Sequence, residues 1–421
     1  MGEITKEHVC GFLLRNTTVP FWGREGPKMT TLPESTGCPV TERMDENCMA
    51  WLALALAPGL GPKRILDAMR QVEEPSQIFA LTLTELEGLR FPAQSAQFVF
   101  DGKARAAAEE EWAKVAAQGA SVLSVSCPAY PERLKEIYDP PPVLWVRGDV
   151  SLLSRPSLAV VGTRHPSPYG QGVAEMLSRD LAARGLLIVS GMARGIDSCA
   201  HRGALTARMP TVAVWGTGID VVYPKENKKL AEEILASGGA IVSEVPMGTF
   251  PAPQNFPRRN RILSGLSVAV LVVEAAENSG TRVTARCAAD QNRDLFAVPG
   301  NVTNKNSWTP NTLIKQGAKL VATWEDVWED LPSQVRLELE SRVPSESKSE
   351  TTASLLPDPG IRPHEAMVLE VLRKDESLQI DEILDLLEAQ LTSSEVFTAL
   401  FELEITGRIR CLPGKNYVRT M

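Results

Sequence analysis

Several segments of the sequence carry residue types that bind anionic oxygens. Glycine lets a main-chain amide approach an oxyanion closely, hydroxyl groups donate hydrogen bonds, and arginine offers a forked set of donors that suits phosphate. In chain order the segments contain Gly162, Thr163 and Arg164; Gly191, Arg194 and Gly195; Gly216 and Gly218; Phe256, Arg258, Arg259, Asn260 and Arg261; and Ser279, Gly280 and Thr281. Together these residue types indicate a site for phosphate groups.

The elements that must position these segments are predicted by short apolar runs along the chain. Such runs occupy residues 158–161, 186–189, 211–214, 240–242, 268–273, 295–298 and 320–321, with helix-length segments between them. This alternation predicts an α/β fold, an extended Rossmann-like, doubly wound and mostly parallel sheet with helices on both faces. Ligands bind outside the carboxyl ends of the strands in such a sheet, so the anion-binding segments should meet at one edge.

The charge distribution places the basic surface in the middle of the chain. The whole chain has a formal net charge of -8, which argues against polyanion binding over its entire surface. Residues 151–265, however, contain 13 lysines and arginines against 8 aspartates and glutamates. We therefore expect the basic surface to be local.

Two regions precede the predicted sheet. Residues 1–45 lack apolar periodicity, so we expect a disordered leader or a start codon that has been assigned too early. Residues 46–120 carry helical patterns around Pro58-Gly59-Leu60-Gly61-Pro62. This region is either a helix-hairpin-helix (SAM-like) domain, whose glycine amides could face a DNA phosphate, or a purely structural helical domain.

The remaining boundaries follow from composition. The Rossmann-like domain is expected to span residues 121–331, and residues 332–360 are rich in Ser, Glu, Pro and Thr and predict a flexible linker. Residues 361–421 predict three helices and a hairpin, a winged helix. This last region contains 7 lysines and arginines against 11 aspartates and glutamates, so we expect it to bind protein or to regulate rather than to bind duplex DNA.

Nothing in the first 45 residues has the pattern of an export signal, and no apolar run reaches the roughly 18 residues of a membrane span. We expect a cytoplasmic protein that does not associate with membranes. The cysteines are scattered, and neither His165 nor His201 has a partner at ligand spacing. No metal and no cofactor are therefore expected.

The run from Leu158 to about Ala322 closely resembles the DprA/Smf family of bacterial DNA-processing proteins. The matching stretches are Val161 to Arg164, Ser190 to Asp197, Tyr223 to Asn227, Asn255 to Ile262, Val298 to Gly300 and Asn311 to Ile314. The likeness extends from about residue 50 to residue 331, and the winged helix resembles an accessory domain of many members. Two positions depart from the family pattern: Thr309, near which the family usually has Gly, and Arg282, in a segment where the family commonly has Ser-Leu-Ile-Thr-Ala.

The resemblance implies a homodimer that binds single-stranded DNA, protects it, and helps to load the RecA recombinase onto incoming strands during transformation or repair. By position, it implies that Arg164, Lys225 and the group from Arg258 to Arg261 hold the DNA backbone. It also makes Phe256 available for contact with a base. It implies no catalytic residue.

The alternative is an enzyme, a nucleotide-binding hydrolase of the lysine-decarboxylase-like group that removes the base from a nucleoside monophosphate. Those enzymes share the sheet and its phosphate loops, but they use a Pro-Gly-Gly-x-Gly-Thr turn followed by a catalytic Glu. Here the turn from Asn278 to Thr281 is followed by Arg, Val and Thr, so Asp197 and Glu274 are the remaining candidates for proton transfer. A dehydrogenase is less well supported, since Gly162-Thr163-Arg164 is not a Gly-x-Gly-x-x-Gly motif.

Overall fold

The computed structural model describes residues 45–342, 362–373, 377–388, 390–405, 408–412 and 414–419. Apart from Asp45, the predicted leader lies outside the described residues. Within these ranges, no helix combines the length and the apolar character that crossing a bilayer requires.

Helices fill the N-terminal region, as the sequence predicts. They are α1 (Glu46–Leu56), α2 (Pro62–Met69), α3 (Leu83–Gly88), α4 (Ala93–Phe100) and α5 (Lys103–Ala117). Their buried side chains form one hydrophobic core with Trp145, Trp215 and Ile241 of the following domain. The carboxylate of Glu111 strengthens this junction because it accepts hydrogen bonds from Trp145 Nε1 (3.0 Å) and from the main-chain amide of Met247 (2.6 Å). The helical region therefore supports one face of the sheet.

The central sheet is the predicted extended, doubly wound sheet. Its strands are β1 (Ser121–Ser124), β2 (Val143–Gly148), β3 (Ser157–Val161), β4 (Leu187–Ser190), β5 (Thr211–Trp215), β6 (Ala240–Ser243), β7 (Ala269–Val272), β8 (Asp294–Ala297) and β9 (Lys319–Leu320). Their spatial order is β1-β2-β6-β5-β4-β3-β7-β8-β9. The strands from β6 to β9 in this order are parallel, while β1 and β2 add an antiparallel edge. The fold prediction is confirmed.

Helices cover both faces of this sheet. They are α6 (Glu132–Lys135), α7 (Pro168–Ala183), α8 (Ile196–Thr206), α9 (Lys228–Ala236), α10 (Asn255–Leu266), α11 (Thr281–Asp290), α12 (Trp308–Lys315) and α13 (Trp324–Asp330). Strand side chains alternate between two cores, as a pleated sheet buried on both sides requires. Val161 packs with the core of α10 and α11, whereas Val160 packs with that of α7 and α8.

The order of the strands creates a switch point between β3 and β7. From β3 the chain adds β4, β5 and β6 on one side, and from β7 it adds β8 and β9 on the other. The loops that leave β3 and β7 therefore run in opposite directions and leave a crevice at the carboxyl edge, where ligands bind in sheets of this kind.

The first part of the linker predicted over residues 332–360 is helical. Residues Ser333–Arg342 form helix α14, and Val335 and Leu339 are buried in the core that contains α7 and α13. Two apolar residues four positions apart suffice to dock one face of a helix, even in a Ser- and Glu-rich segment. The prediction of a flexible linker is therefore wrong for α14, and residues 343–360 lie outside the described residues.

The C-terminal region is a winged helix, which confirms that prediction. It consists of α15 (Pro363–Val371), β10 (Leu378–Gln379), α16 (Ile380–Leu387), α17 (Ser393–Ile405), β11 (Ile409–Leu412) and β12 (Asn416–Arg419). The strands form an antiparallel sheet in the order β10-β12-β11. Val368, Ile383 and Leu400 belong to a hydrophobic core of its own.

Candidate nucleic-acid interface

A cleft of about 940 Å³ opens at the switch point between β3 and β7. The loops after β3, β4 and β7, the start of α10 and the segment before α12 form its walls. The lining includes Gly162, Thr163, Arg164, His165, Asp197, Tyr223, Phe256, Arg259, Asn260, Asn278, Ser279, Gly280, Thr281, Lys305 and Trp308. The structure therefore brings predicted residues from three of the five segments to one place, and the loop after β4 contributes Ala193 and Asp197 instead of its predicted residues.

Two glycines let the loops after β3 and β4 pack against each other. A Cβ on Gly162 would lie 2.5 Å from Ile196 Cγ1, and a Cβ on Gly195, whose φ is +77°, would lie 2.4 Å from the carbonyl oxygen of Thr163. The amide of Thr163 donates to the carbonyl of Glu274 (2.6 Å), and the amide of Ile196 donates to the carbonyl of Thr163 (3.2 Å). These glycines are needed mainly for close packing beneath the cleft.

Gly191 makes room for a buried arginine at the base of the cleft. A Cβ on Gly191 would lie 2.2 Å from Arg259 Nη1, and the guanidinium group donates to the carbonyl oxygen of Val214. Burial lowers the pKa of Arg259 to about 10, while the nearby Asp197 carboxylate opposes this change. Arg259 is therefore charged at neutral pH and contributes a positive charge to the cleft floor, beside the Asp197 carboxylate.

Asp197 holds the loop after β4 in place. Its buried carboxylate accepts hydrogen bonds from the amides of Ala193 (3.3 Å) and Gly191. Burial raises the pKa of Asp197, and the positive charge of Arg259 opposes that rise. This side chain has a structural task at the start of α8, as a helix-terminal Asp commonly has.

The predicted cations Arg164, Lys225 and Arg258 are exposed and are not in an ion pair with any described residue. Arg164 lines the cleft itself, and its Cζ atom lies 6.0 Å from the ring centroid of Phe256. Arg258 lines a small adjacent depression with Gly216. Unpaired guanidinium and ammonium groups are free to bind phosphate oxygens.

An aromatic pair lies beside Arg164. The ring centroids of Phe256 and Tyr223 are 5.4 Å apart, and both side chains line the cleft. Gly216 leaves space for this arrangement, since a Cβ there would lie 3.0 Å from Phe256 Cδ1. Tyr223 was not predicted from the sequence, although it begins one of the segments that resemble the DprA/Smf family.

Some predicted site residues have other partners. Arg261 is buried and forms ion pairs with Asp139 (2.9 Å) and Glu244, and it does not line the cleft. Its predicted contact with a DNA backbone is therefore not available in this arrangement. Arg194 forms an ion pair with Glu226.

Gly216 and Gly218 belong to a buried turn. The amide of Gly218 donates to the carbonyl of Thr249 (3.0 Å), and a Cβ on Gly218 would lie 2.6 Å from Asp220 Oδ1. A main-chain amide that is hydrogen-bonded within the fold does not point at a ligand. The role of Gly218 is therefore to allow the close packing of this turn.

The loop after β7 ends at the N-terminus of α11, which borders the cleft. The Ser279 hydroxyl accepts a hydrogen bond from the Thr281 amide (3.2 Å) and donates to Thr281 Oγ1 (3.0 Å). Gly280 is exposed immediately before the helix. The partial positive charge of a helix N-terminus favours anions here.

The enzyme alternative requires a carboxylate that is free to transfer a proton. Glu274 is buried and accepts hydrogen bonds from the amide (2.8 Å) and the hydroxyl (2.5 Å) of Ser167, at the start of α7. The Asp197 carboxylate accepts the two main-chain hydrogen bonds described above. Among the described lining residues, Glu277 is the exposed carboxylate at the rim, and it was not predicted.

One group of potential metal ligands lies away from the cleft, in the winged helix. The ligand atoms of His364, Glu365 and Glu402 lie within 4.8 Å of one another. Arg362 lies 2.9 Å from Glu402 and 3.9 Å from Glu365. This guanidinium group supplies the positive charge that a metal ion would otherwise bring.

Comparisons with known proteins agree with the architecture. Residues 121–332 match the family model for DNA recombination-mediator protein A, and residues 351–415 match the model for the DprA winged helix domain. Protein Smf of Escherichia coli (strain K12) is 41% identical over 290 residues, which are 69% of this chain and 75% of that protein.

Two further relatives are similar. The DNA processing protein DprA of Bacillus subtilis is 42% identical over 218 residues, covering 52% of this chain and 73% of that protein. The X-ray structure of DNA processing protein A from Streptococcus pneumoniae superposes with a TM-score of 0.61 at 35% identity, covering 69% of this chain and 99% of that chain.

Proposed function

The chain belongs to the DNA recombination-mediator protein A (DprA/Smf) family, and on this basis and on the geometry of the cleft we propose that it binds single-stranded DNA along the carboxyl edge of its sheet. The observation that carries the proposal is Arg164, an exposed arginine with no ion-pair partner among the described residues, beside the Phe256 ring (6.0 Å) and above a floor that contains the charged Arg259.

This combination suits an unpaired strand. Arginines neutralise the phosphate backbone irrespective of sequence. An aromatic side chain stacks on any base, because every base has a π-face. Exposed Lys225 and Arg258 extend the basic surface beyond the cleft, so the backbone contacts cover more than one phosphate.

The cellular role that we propose follows from the family. The protein protects single-stranded DNA in the cytoplasm and helps to load RecA onto incoming strands during transformation or repair, as a homodimer that presents two clefts. Light scattering measures the subunit number, and a strand-exchange assay with RecA measures loading. A monomer, or strand exchange that the protein does not accelerate, would contradict this part of the proposal.

The cleft is proposed as a binding site without hydrolytic activity. Glu274 and Asp197 are held by hydrogen bonds to Ser167 and to the loop before α8. The exposed Glu277 at the rim is therefore the carboxylate that the hydrolase alternative would have to use as its acid or base.

Fluorescence anisotropy with a labelled oligo-dT tests the proposal. Arg164→Glu should abolish binding, because it places a negative charge where a phosphate must lie. Arg286→Glu is the matched control: Arg286 is 84% exposed and does not line the cleft, so the same change in net charge should leave most of the affinity.

A parallel assay for base release from nucleoside monophosphates distinguishes the alternative. We expect no release by the wild-type protein. Release that Glu277→Gln suppresses, together with binding to oligo-dT that is weak and insensitive to salt, would favour the hydrolase.

A further inference from the structure

Arg282 and Thr309 lie close together at the β8 side of the cleft, on either side of Trp308. Arg282 is the second residue of α11, and Thr309 is the second residue of α12. Between them stands Trp308, which lines the cleft and is 40% exposed.

Arg282 lies over the Trp308 ring. Its Cζ atom is 5.5 Å from the ring centroid, within the range of a cation–π interaction. The guanidinium group also donates a hydrogen bond to the carbonyl oxygen of Glu277 (3.1 Å). Because this bond restrains the guanidinium group, Arg282 restrains the orientation of the ring.

Thr309 fixes the main chain beneath Trp308. The Thr309 hydroxyl donates to the carbonyl of Ala276 (2.8 Å), and its amide donates to the carbonyl of Ala275 (3.0 Å). Thr309 is 1% exposed, so these bonds are shielded from water. Glycine could form the second bond but not the first, so the threonine ties the start of α12 more firmly to the loop after β7.

The Trp308 ring and the Phe256 ring belong to opposite ends of the cleft. Phe256 packs against the turn at Gly216, directly after β5, whereas Trp308 follows β8. In the sheet order, β4, β3 and β7 lie between β5 and β8, and Arg164 directly follows β3. Lys305 adds an exposed cation to the Trp308 wall.

We propose that Trp308 is a second base-stacking platform, held in place by Arg282 and Thr309, so that the cleft takes unpaired bases of one strand at both ends. A large ring that stays partly exposed while its backbone and one neighbour are fixed loses little freedom when a base stacks on it. This inference rests on the proposed binding of single-stranded DNA.

The test compares oligo-dT with an abasic deoxyribose-phosphate oligomer of the same length. Trp308→Ala should weaken binding of oligo-dT about 5- to 150-fold, the effect of losing one stacked base. It should leave the affinity for the abasic oligomer and the salt dependence unchanged, because no phosphate contact is lost. Trp308→Phe should restore most of the loss.

A double-mutant cycle tests the role of Arg282. Arg282→Leu should weaken oligo-dT binding about 2- to 5-fold in the wild-type background, as expected for an exposed cation–π pair. In the Trp308→Ala background it should have no further effect. An equal loss in both backgrounds would show that Arg282 does not act through the ring.

Controls separate the failure of this inference from the failure of the proposed function. Phe250 is 78% exposed and does not line the cleft, so Phe250→Ala should bind as the wild type does. If the wild type binds oligo-dT and Trp308→Ala binds equally well, the platform is wrong and the proposed function stands. An equal loss for oligo-dT and the abasic oligomer also overturns the platform. If the wild type does not bind oligo-dT, both proposals fall.

Discussion

The arginines at 258, 259 and 261 show how neighbouring residues of one type acquire different tasks. They lie in α10, where successive side chains point in directions about 100° apart. Arg258 is exposed, Arg259 is buried beneath Gly191, and Arg261 pairs with Asp139 and Glu244. The sequence predicts the cluster but not this division, because the partners of Arg261 are distant along the chain.

This division predicts opposite effects for two substitutions. Arg261→Met should lower the free energy of unfolding by about 3 kcal/mol, because it removes a buried guanidinium group and leaves the carboxylate of Glu244, whose side chain is only 11% exposed, without its partner. Arg258→Met should leave stability unchanged and weaken oligo-dT binding. Urea unfolding and anisotropy on both variants measure the effects. A stable Arg261→Met variant that has lost its DNA affinity would contradict the structure.

His201 is buried rather than part of the cleft, and its Nδ1 atom lies 2.9 Å from Thr211 Oγ1. Burial, together with the positive charges of Arg259 and Arg202, lowers the pKa of His201 to about 3. The pKa of His in an unfolded chain is about 6.5. The contribution of neutral His201 to the free energy of unfolding is therefore complete above that pH. It is lost progressively as the pH falls towards 3, because only the unfolded state binds the proton.

We expect this histidine to contribute about 1.4 kcal/mol per pH unit to the fall in unfolding free energy below about pH 6.5. Comparing the wild type with His201→Gln between pH 6 and 4.5 isolates the effect, since Asp197 and the other acidic groups are common to both proteins. If the free energy of unfolding falls equally with pH in the two proteins, His201 is not responsible for the loss of stability.

At the scale of elements, the apolar runs suffice to predict the parallel strands, because strands buried on both faces need continuous apolar sequence. The apolar runs do not predict that β2 pairs with β6. Both orientations of a strand satisfy the same apolar pattern, and the partner of β2 is distant along the chain. Helix α14 was missed because only Val335 and Leu339 distinguish it from a polar linker.

Helix α14 predicts where the chain can be shortened. A chain that ends at Arg342 keeps α14 and should retain both its stability and most of its affinity for oligo-dT. The winged helix has its own core, and α17 exposes Phe397, Phe401 and Glu404 rather than cations. A large loss of affinity in this chain would assign DNA binding to the winged helix.

A chain that ends at Leu331 is the matched comparison. It also removes the buried Val335 and Leu339 side chains, which should lower the free energy of unfolding by about 3–6 kcal/mol. Equal thermal stability of the two chains would show that α14 does not belong to the folded core.

At the scale of the whole molecule, a protein of net charge -8 is expected to bind a polyanion only through a local basic surface. We propose that the cleft region, from Arg164 at the switch point to Lys225 and Arg258 beyond it, supplies that surface. The winged helix, with 7 lysines and arginines against 11 aspartates and glutamates over residues 361–421, is not expected to add to that surface.

The salt dependence of oligo-dT binding, measured for the wild type and for Arg164→Ala, tests this account most directly. The logarithm of the affinity should fall linearly with the logarithm of the salt concentration, with a slope of about -0.7 for each phosphate held. Removing the Arg164 guanidinium should make the slope less steep by about 0.7. An affinity that does not change with salt, or the same slope in both proteins, would contradict the claim that Arg164 holds the DNA backbone at the switch point.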